Sequence, residues 1–264
     1  MLEAYWGLRG RPFEKSIKPE NLFLSNTLKE LNSRLDYMKQ HRGIMLIAGQ
    51  PGTGKTTALR AFVSRLSELS YKNFYVPLAT VNVLDFYRQL NSQLGGEPSF
   101  YKSQLYDSIH ERVVDLAANQ KKTPVIIFDE AHLLKNENFT ELQLLVNFNM
   151  DAVDPAMIVL AGQPHLTDRL MRPFLKSFYQ RIGLKYVLQP LEQTEIKPFI
   201  EHHLKLKGCT KSPFTESAIT AIYKNTSGVP RLVGSLALNT MTLGMLEKNT
   251  ELTEEHVFQA AQEL

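Results

Sequence analysis

Cysteine and long apolar runs are scarce in this chain of 264 residues. The single cysteine, Cys209, excludes an internal disulfide and any metal site built from several thiolates. No apolar run approaches the roughly 20 residues of a membrane-spanning helix. The amino-terminal segment also lacks the basic stretch followed by an apolar stretch that marks a secretory signal. We therefore expect a cytoplasmic protein without membrane contact.

The charge is nearly balanced, with 30 Lys and Arg against 27 Asp and Glu, a net charge of +3. Such an excess permits contact with nucleic acid without arguing for it, because this binding depends on clustered cations rather than on their total. The length allows one large domain, or a medium domain with a small companion, and either can bury a substantial core. Function must therefore be inferred from motifs.

A glycine-rich loop follows the apolar run 44–48 and has the pattern G-x-x-x-x-G-K-[ST]. Backbone N–H groups of such loops surround nucleotide phosphates at the start of a helix, and their glycines allow positive φ. We expect Lys55 to reach the β- and γ-phosphates of ATP and the Thr56 hydroxyl to ligate Mg²⁺. The predicted nucleotide-binding residues of this loop are Gly49, Gln50, Pro51, Gly52, Thr53, Gly54, Lys55, Thr56 and Thr57. The alternative, a flexible glycine loop, is disfavoured by the strand predicted before it and the helix predicted over 56–69.

Two carboxylates, Asp129 and Glu130, directly follow the apolar segment 125–128. Open parallel sheets bind their ligands at the carboxyl ends of buried strands. We predict that Asp129 holds Mg²⁺ and that Glu130 orients or deprotonates the attacking water. The alternative is a turn or helix start capped by acids. Residues 129–132 also match a helicase signature, but the chain is too short for a second motor domain, and we interpret His132 as local polar packing.

Further polar residues are candidates for sensing and stabilising the γ-phosphate. Gln163 follows the fourth apolar segment and is well placed to lie beside the attacking water; it is equally consistent with an ordinary strand end before Pro164. Arg181 precedes the last predicted strand and is a candidate for the arginine that phosphoryl transfer requires. Arg169 and Arg172 are alternatives, or else part of a solvated helix face.

Arg231 lies in the first turn of a predicted helix, after Pro230. A cation at this position opposes the helix dipole, so a phosphate ligand would explain its presence. Arg231 is therefore a further predicted catalytic and nucleotide-binding residue.

Strand and helix patterns alternate through the first two thirds of the chain, as a parallel sheet with crossover helices requires. Five strands are predicted, after a polar helix over 28–41, and helical periodicity follows Pro190. The predicted strands are 44–48, 74–78, 125–128, 157–160 and 185–188, and the predicted later helices are 191–206, 215–225, 231–246 and 253–262. We predict an α/β domain over 1–189, with an amino-terminal strap over 1–27, and an all-α domain over 190–264.

Together these residues resemble the AAA+ ATPases: Walker A at 49–56, Walker B at 125–130, sensor 1 at Gln163, the arginine finger at Arg181 and sensor 2 at Arg231. Within that superfamily the chain is most similar to the ExeA/GspA and TnsC/TniB group. The similarity includes the opening segments 5–13 and 22–25, a "GQPEL"-like stretch at 162–166 and a "QRI" at 180–182. His165 replaces the usual acid of the "GQPEL" stretch.

The resemblance implies an AAA+ P-loop NTPase core with a five-stranded parallel sheet flanked by helices, followed by a small all-α lid. It implies that Leu8, Phe13 and Leu24 border the adenine pocket, although they also suit a hydrophobic strap across the core. It further implies that Arg181 acts in trans, so that active sites form between subunits of a ring or filament.

Two functional lines exist in the group that the chain resembles. ExeA and GspA proteins energise secretion assembly and carry a membrane segment and a further domain, whereas TnsC and TniB polymerise on DNA and deliver it to a transposase. The chain has no such segment after the predicted lid, so we expect an ATP-hydrolysing, DNA-binding regulator of transposition.

The predicted partners are duplex DNA, a transposase and further copies of the chain, and the predicted DNA contacts are Thr80, Arg88 and Lys102. For the segment 80–102 the alternative is a solvated helical insertion. For the whole chain the alternatives are a secretion-assembly ATPase and an ATP-dependent scaffold with little hydrolysis.

Overall fold

The computed structural model describes residues 2–77, 82–150 and 152–262. The chain divides into two compact units. The sheet unit comprises Glu30–Gly49 and Lys55–Leu188, and the helical unit comprises Met1–Lys29, Gln50–Gly54 and Gln189–Leu264. The predicted domain boundary between 189 and 190 stays a prediction. The division by units groups the predicted strap with the carboxyl-terminal helices.

The sheet unit contains a five-stranded parallel sheet in the order β2-β3-β4-β1-β5. The strands are β1 (Gly43–Gly49), β2 (Tyr71–Pro77), β3 (Thr123–Asp129), β4 (Met157–Gly162) and β5 (Ile182–Leu188). Every residue of β3 and β4 is buried, as expected for central strands covered on both faces. The predicted five-stranded α/β fold is confirmed.

Helices surround this sheet and build the helical unit. In the described part of the chain the α-helices are α1 (Leu2–Tyr5), α2 (Asn26–His41), α3 (Lys55–Ser64), α4 (Val83–Gln93), α5 (Lys102–Val114), α6 (Asn136–Leu145), α7 (His165–Leu170), α8 (Lys176–Arg181), α9 (Gln193–Leu206), α10 (Glu216–Thr226), α11 (Pro230–Leu246) and α12 (Glu254–Ala261). Across the same described residues, no helix combines the length and apolarity needed to cross a membrane.

The helix after the glycine-rich loop is shorter than predicted. It ends at Ser64 rather than at residue 69, because the N–H groups of Arg65 and Leu66 bond to carbonyls three residues back and tighten the chain into a turn. Leu69 is 85% exposed. Leu69 therefore continues the apolar helical pattern in the sequence, but its side chain is not part of the core.

The helical unit encloses its own apolar core between α9, α10, α11 and α12. Thr215 begins α10 as predicted, because its side chain accepts a hydrogen bond from the Ala218 N–H. The amino-terminal segment packs on the same core: the Trp6 indole donates to the Met241 carbonyl at 2.9 Å, and Leu8 is 7% exposed.

Gly228 provides the tightest backbone approach in this unit. Its φ is +73°, and an added Cβ would lie 2.0 Å from the Leu191 carbonyl oxygen. The Leu191 N–H in turn donates to the Gly228 carbonyl at 2.8 Å. Glycine is therefore required here both by the left-handed backbone and by the space available.

Candidate active site

Buried polar groups gather at the carboxyl edge of the sheet, within the sheet unit. Lys55 and Asp129 are 6% and 4% exposed. The Lys55 Nζ donates to the Gly49 carbonyl at 2.8 Å, and the Thr56 Oγ1 donates to the Asp129 Oδ2 at 2.6 Å. The end of β3 and the first turn of α3 are thus joined through the two side chains predicted to hold Mg²⁺.

Glu130 forms a sharp turn immediately after β3. Its backbone is left-handed, with φ 52° and ψ 34°, which is uncommon outside glycine. Its N–H donates to the Asp129 Oδ1 at 2.9 Å, while its own side chain is 50% exposed. The turn therefore separates two neighbouring acids: Asp129 is buried and bonded through both oxygens, and the Glu130 carboxylate reaches solvent.

His132 connects this turn to the end of β4. Its Nε2 lies 3.0 Å from the Gln163 Nε2, and its Nδ1 lies 3.4 Å from the Glu130 Oε2. Burial lowers the pKa of His132; Glu130 opposes this effect, and His165, Lys55 and Arg169 add to it. Sequence reasoning treated His132 as local packing and missed this link.

Tyr75 on β2 is a second residue that sequence reasoning missed. Burial raises the pKa of its hydroxyl, and the charges of Asp129 and Glu130 raise it further. Tyr75 pairs with Ile127, two residues before Asp129, and this register is a property of the folded sheet that the sequence does not show.

The loop Gln50–Gly54 belongs to the helical unit and packs there against the start of α11. An added Cβ at Gly52, whose φ is +87°, would lie 2.9 Å from the Arg231 Cβ and 3.0 Å from the Val229 Cγ1. The Arg231 N–H donates to the Gly52 carbonyl at 3.2 Å. Gly54 has φ +100° and open space where a Cβ would be. Both glycines thus have the positive φ expected for a phosphate-binding loop.

The residues present fit a nucleotide with Mg²⁺. A threonine hydroxyl and a carboxylate are the hard oxygen donors that Mg²⁺ prefers, and this ion commonly takes one or two carboxylates together with phosphate oxygens. Thr56 and Asp129 supply such a pair at 2.6 Å. The loop's positive-φ glycines precede the buried ammonium group of Lys55 in the sequence, as phosphate binding requires.

The candidate arginines differ in environment. Arg181 ends α8, and its Nη1 donates to the Gln143 carbonyl at 3.3 Å. Arg169 is not on a solvated face: its guanidinium lies 5.2 Å from the Phe139 ring centroid. Its buried Nε and Nη2 have no hydrogen-bond partner among the described residues. Burial lowers the pKa of Arg169, and the charge of Arg172 lowers it further.

The predicted adenine-pocket residues lie in the helical unit. Leu8 is part of its apolar core, and the Phe13 ring stacks on Phe199 at 6.2 Å between centroids. Leu24 is 49% exposed. These contacts agree with a hydrophobic strap for Leu8 and Phe13, and the role of the three residues in adenine binding stays a prediction.

Two of the three predicted DNA-contacting residues lie within the described part of the chain. Thr80 lies outside the described residues. Arg88 on α4 pairs with Asp85 at 3.2 Å, and Lys102 on α5 pairs with Glu141 at 2.6 Å. Contact of either cation with a phosphate would compete with an acid already in place.

Comparison with known proteins identifies relatives of this chain. Residues 38–170 match the family model described as "AAA domain". General secretion pathway protein A of Aeromonas hydrophila is 30% identical over 237 residues, which cover 88% of this chain and 43% of that protein. The chain therefore spans less than half the length of this relative.

Solved structures share the fold at low sequence identity. The crystal structure of Cdc6p from Pyrobaculum aerophilum has a TM-score of 0.67 and 15% identity, covering 99% of this chain and 70% of that chain. The structure of Drosophila ORC bound to DNA has a TM-score of 0.64 and 17% identity, covering 98% and 64%. At these identities the similarity is one of fold.

Proposed function

Because the chain belongs to the AAA domain family, we propose that it binds ATP with Mg²⁺ and hydrolyses it slowly, as a switch that controls assembly. The observation that carries this proposal is the 2.6 Å hydrogen bond from Thr56 to Asp129. It joins the first turn after the glycine-rich loop to the strand that ends in two acids. Members of this family are typically ATPases.

In the proposed mechanism each residue has one task. Lys55 and the loop 49–57 hold the phosphates, and Thr56 and Asp129 hold Mg²⁺. When bound, Mg²⁺ neutralises charge on the phosphate oxygens. The exposed carboxylate of Glu130 orients or deprotonates the attacking water.

Three further residues complete the proposed site. Gln163 lies beside the water, and Arg231, whose N–H bonds to Gly52, is a phosphate ligand. Arg181 stabilises the developing charge from a neighbouring subunit. We also assign Leu8, Phe13 and Leu24 to the adenine pocket.

For the client we propose duplex DNA in a transposition system, with a transposase as the recruited partner. Two observations support this choice: the resemblance to TnsC and TniB proteins, and a fold shared with Drosophila ORC in its structure bound to DNA. The proposed contacts are Thr80, Arg88 and Lys102. The ion pairs of Arg88 and Lys102 make these contacts exchangeable rather than preformed.

A second candidate is a secretion-assembly ATPase of the ExeA/GspA type. The observation that favours it is the 30% identity to General secretion pathway protein A over 88% of this chain. A scaffold that assembles with ATP and barely hydrolyses it is the third candidate.

Nucleotide binding is tested with Lys55→Ala, and Lys39→Ala on the surface of α2 serves as a matched control. We expect Lys55→Ala to weaken binding of a fluorescent ATP analogue by at least about 100-fold, or about 2.7 kcal/mol. The control should bind like the wild type. Undiminished binding by Lys55→Ala would overturn the assignment of the loop.

The client is tested by measuring ATP turnover with and without duplex DNA, alongside negative-stain images. Turnover stimulated by DNA, with filaments on DNA, supports the transposition regulator. Indifference to DNA removes it and leaves the secretion candidate. Assembly with ATP but almost no turnover supports the scaffold.

Action of Arg181 in trans is tested by mixing variants. Arg181→Ala should be inactive alone and should recover activity when mixed with Lys55→Ala subunits that supply the arginine. No recovery at any mixing ratio argues against an active site shared between subunits.

A further inference from the structure

Three polar side chains, Glu130, His132 and Gln163, lie next to one another at the ends of two neighbouring strands of the sheet unit. Glu130 follows β3, Gln163 follows β4, and the two strands pair up to Phe128 and Leu160. His132, in the short 3₁₀ turn Ala131–Leu133, lies between them. Its side chain is 8% exposed.

The atoms in contact fix the protonation of the ring. The Gln163 Nε2 lies 3.0 Å from the His132 Nε2, and an amide nitrogen can only donate. The ring Nε2 must therefore accept, which places the proton on Nδ1. Nδ1 lies 3.4 Å from the Glu130 Oε2, within ion-pair distance, but it forms no hydrogen bond among the described residues.

The opposite amide orientation is disfavoured by the same carboxylate. If Gln163 presented its oxygen, the ring would carry its proton on Nε2, and a bare Nδ1 lone pair would face the Glu130 carboxylate. The charge of Glu130 thus selects the His132 tautomer, and this tautomer selects the orientation of the Gln163 amide.

Close packing around His132 holds the three polar side chains in place. An added Cβ at Gly162 would lie 2.7 Å from the Leu166 Cδ2 and 3.2 Å from the His132 backbone nitrogen. The end of β4 therefore passes directly against the turn that carries His132. The His165 ring packs edge-on against the His132 ring, with centroids 5.1 Å apart.

We propose that His132 is a positioning residue that couples Glu130 to Gln163, so that the proposed base and the proposed sensor are oriented together. A displacement of the Gln163 amide removes the bond to Nε2 and frees the ring whose Nδ1 faces Glu130. The expected effect of His132 on turnover rests on the proposed hydrolysis of ATP. The contacts among the three side chains do not depend on that proposal.

The geometry is tested without nucleotide or turnover, by ¹⁵N NMR of the full chain labelled at histidine. The His132 signals are assigned by their absence in His132→Asn. We expect a protonated Nδ1 and an unprotonated Nε2 in the wild type, and a loss of this preference in Glu130→Ala, which removes the charge that selects the tautomer. A proton on Nε2 in the wild type, or no response to Glu130→Ala, would overturn the coupling.

The consequence is tested by steady-state kinetics. His132→Leu should lower kcat by about ten-fold or more with little change in KM for ATP, because only the reacting arrangement is disturbed. His132→Asn, which keeps a donor toward Glu130, should recover part of the loss. His41→Leu, at an exposed position at the end of α2, is the control and should stay within about two-fold of the wild type.

A double-mutant cycle separates coupling from packing. If His132 and Gln163 act as one unit, His132→Leu combined with Gln163→Ala should be no slower than the slower single variant. The proposal would be overturned if the effects of the two substitutions on kcat multiplied in the double variant. It would also be overturned if the variants lost kcat and nucleotide affinity equally. A wild-type chain that binds ATP without hydrolysing it would instead refute the proposed function, and the NMR result would still stand.

Discussion

Asp129 in the sheet unit and two buried threonines in the helical unit satisfy their hydrogen bonds in different ways. In the sheet unit, Thr56 bonds to Asp129, which is 73 residues distant in the sequence. In the helical unit, the buried hydroxyls of Thr226 and Thr240 donate to carbonyls four residues back in their own helices. The first arrangement needs the tertiary fold, whereas the second needs only a helix.

This difference follows from the geometry of the elements. Parallel strands bring their carboxyl ends to one edge of a sheet, so side chains from distant segments meet there. A helix satisfies its backbone internally and leaves an apolar face for packing. The proposed magnesium ligands and the proposed base therefore lie in the sheet unit, while the helical unit supplies residues 50–54 and Arg231 as well as a packed core, and these roles respond differently to substitution.

The largest expected effect is on turnover at the sheet edge. Glu130→Gln should lower ATP turnover by about 1000-fold, or about 4 kcal/mol of transition-state stabilisation, while ATP still binds. Stability should hardly change, because the side chain is 50% exposed. Glu137→Gln, on the exposed first turn of α6, is the control. Wild-type turnover in Glu130→Gln would remove Glu130 as the base.

The helical unit should respond most strongly at Gly228. Gly228→Ala should cost about 3 kcal/mol of unfolding free energy, from the left-handed backbone and the clash with the Leu191 carbonyl. Gly7→Ala is a matched control, because its φ is also positive, at +66°, and nothing lies within 4 Å of an added Cβ. It should cost about 1 kcal/mol. If urea unfolding gave equal losses of unfolding free energy for Gly228→Ala and Gly7→Ala, the close approach of Gly228 to Leu191 would be unimportant.

Acid should weaken the helical unit through His203 on α9. Burial, with the charges of His202 and Lys207, lowers the pKa of His203 from 6.5 to about 4. Between these values the unfolded chain binds the extra proton, so stability is lost as pH falls. The loss due to His203 should reach about 2 kcal/mol between pH 7.5 and 5.

The contribution of His203 is isolated by comparing variants in thermal unfolding at the two pH values. His203→Leu should show a smaller acid destabilisation than the wild type. His41→Leu, at an exposed position near the end of α2, should keep the full effect. An unchanged pH dependence in His203→Leu would contradict the assignment.

The smallest expected effects are on the surface of α4 and α5. Arg88→Ala and Lys102→Ala should each change unfolding free energy by less than about 0.5 kcal/mol, because exposed ion pairs contribute little. If both residues contact DNA phosphates, each substitution should reduce the slope of log K against log salt by about 1. An unchanged slope would exclude this surface from DNA contact.

Much of the fold was predictable, because its patterns are local. Apolar runs marked the central strands β1, β3 and β4, and Thr215 marked the start of α10 through its own cap. The end of α3 was not predictable, since Leu69 continues the apolar pattern yet is 85% exposed. Periodicity reports which residues are apolar, and it does not report whether a partner surface exists.

The candidate site also contains features that the sequence predicted and features that it did not. The spacing of Lys55 and Thr56 after the glycines, and of two acids after an apolar run, predicted which residues carry the proposed chemistry. The burial of Arg169 and the ion pair of Lys102 were beyond prediction. Each depends on a residue brought near from a distant segment.

By itself the sequence determined the parallel α/β fold, the glycine-rich loop and the acids at the end of β3, because these depend on neighbours along the chain. The tertiary structure alone decided that Thr56 bonds to Asp129 and that His132 lies between Glu130 and Gln163. The physical reason is strand order. In the sheet, β4 lies directly between β1 and β3. Side chains that are far apart in the sequence therefore meet at the carboxyl ends of these strands.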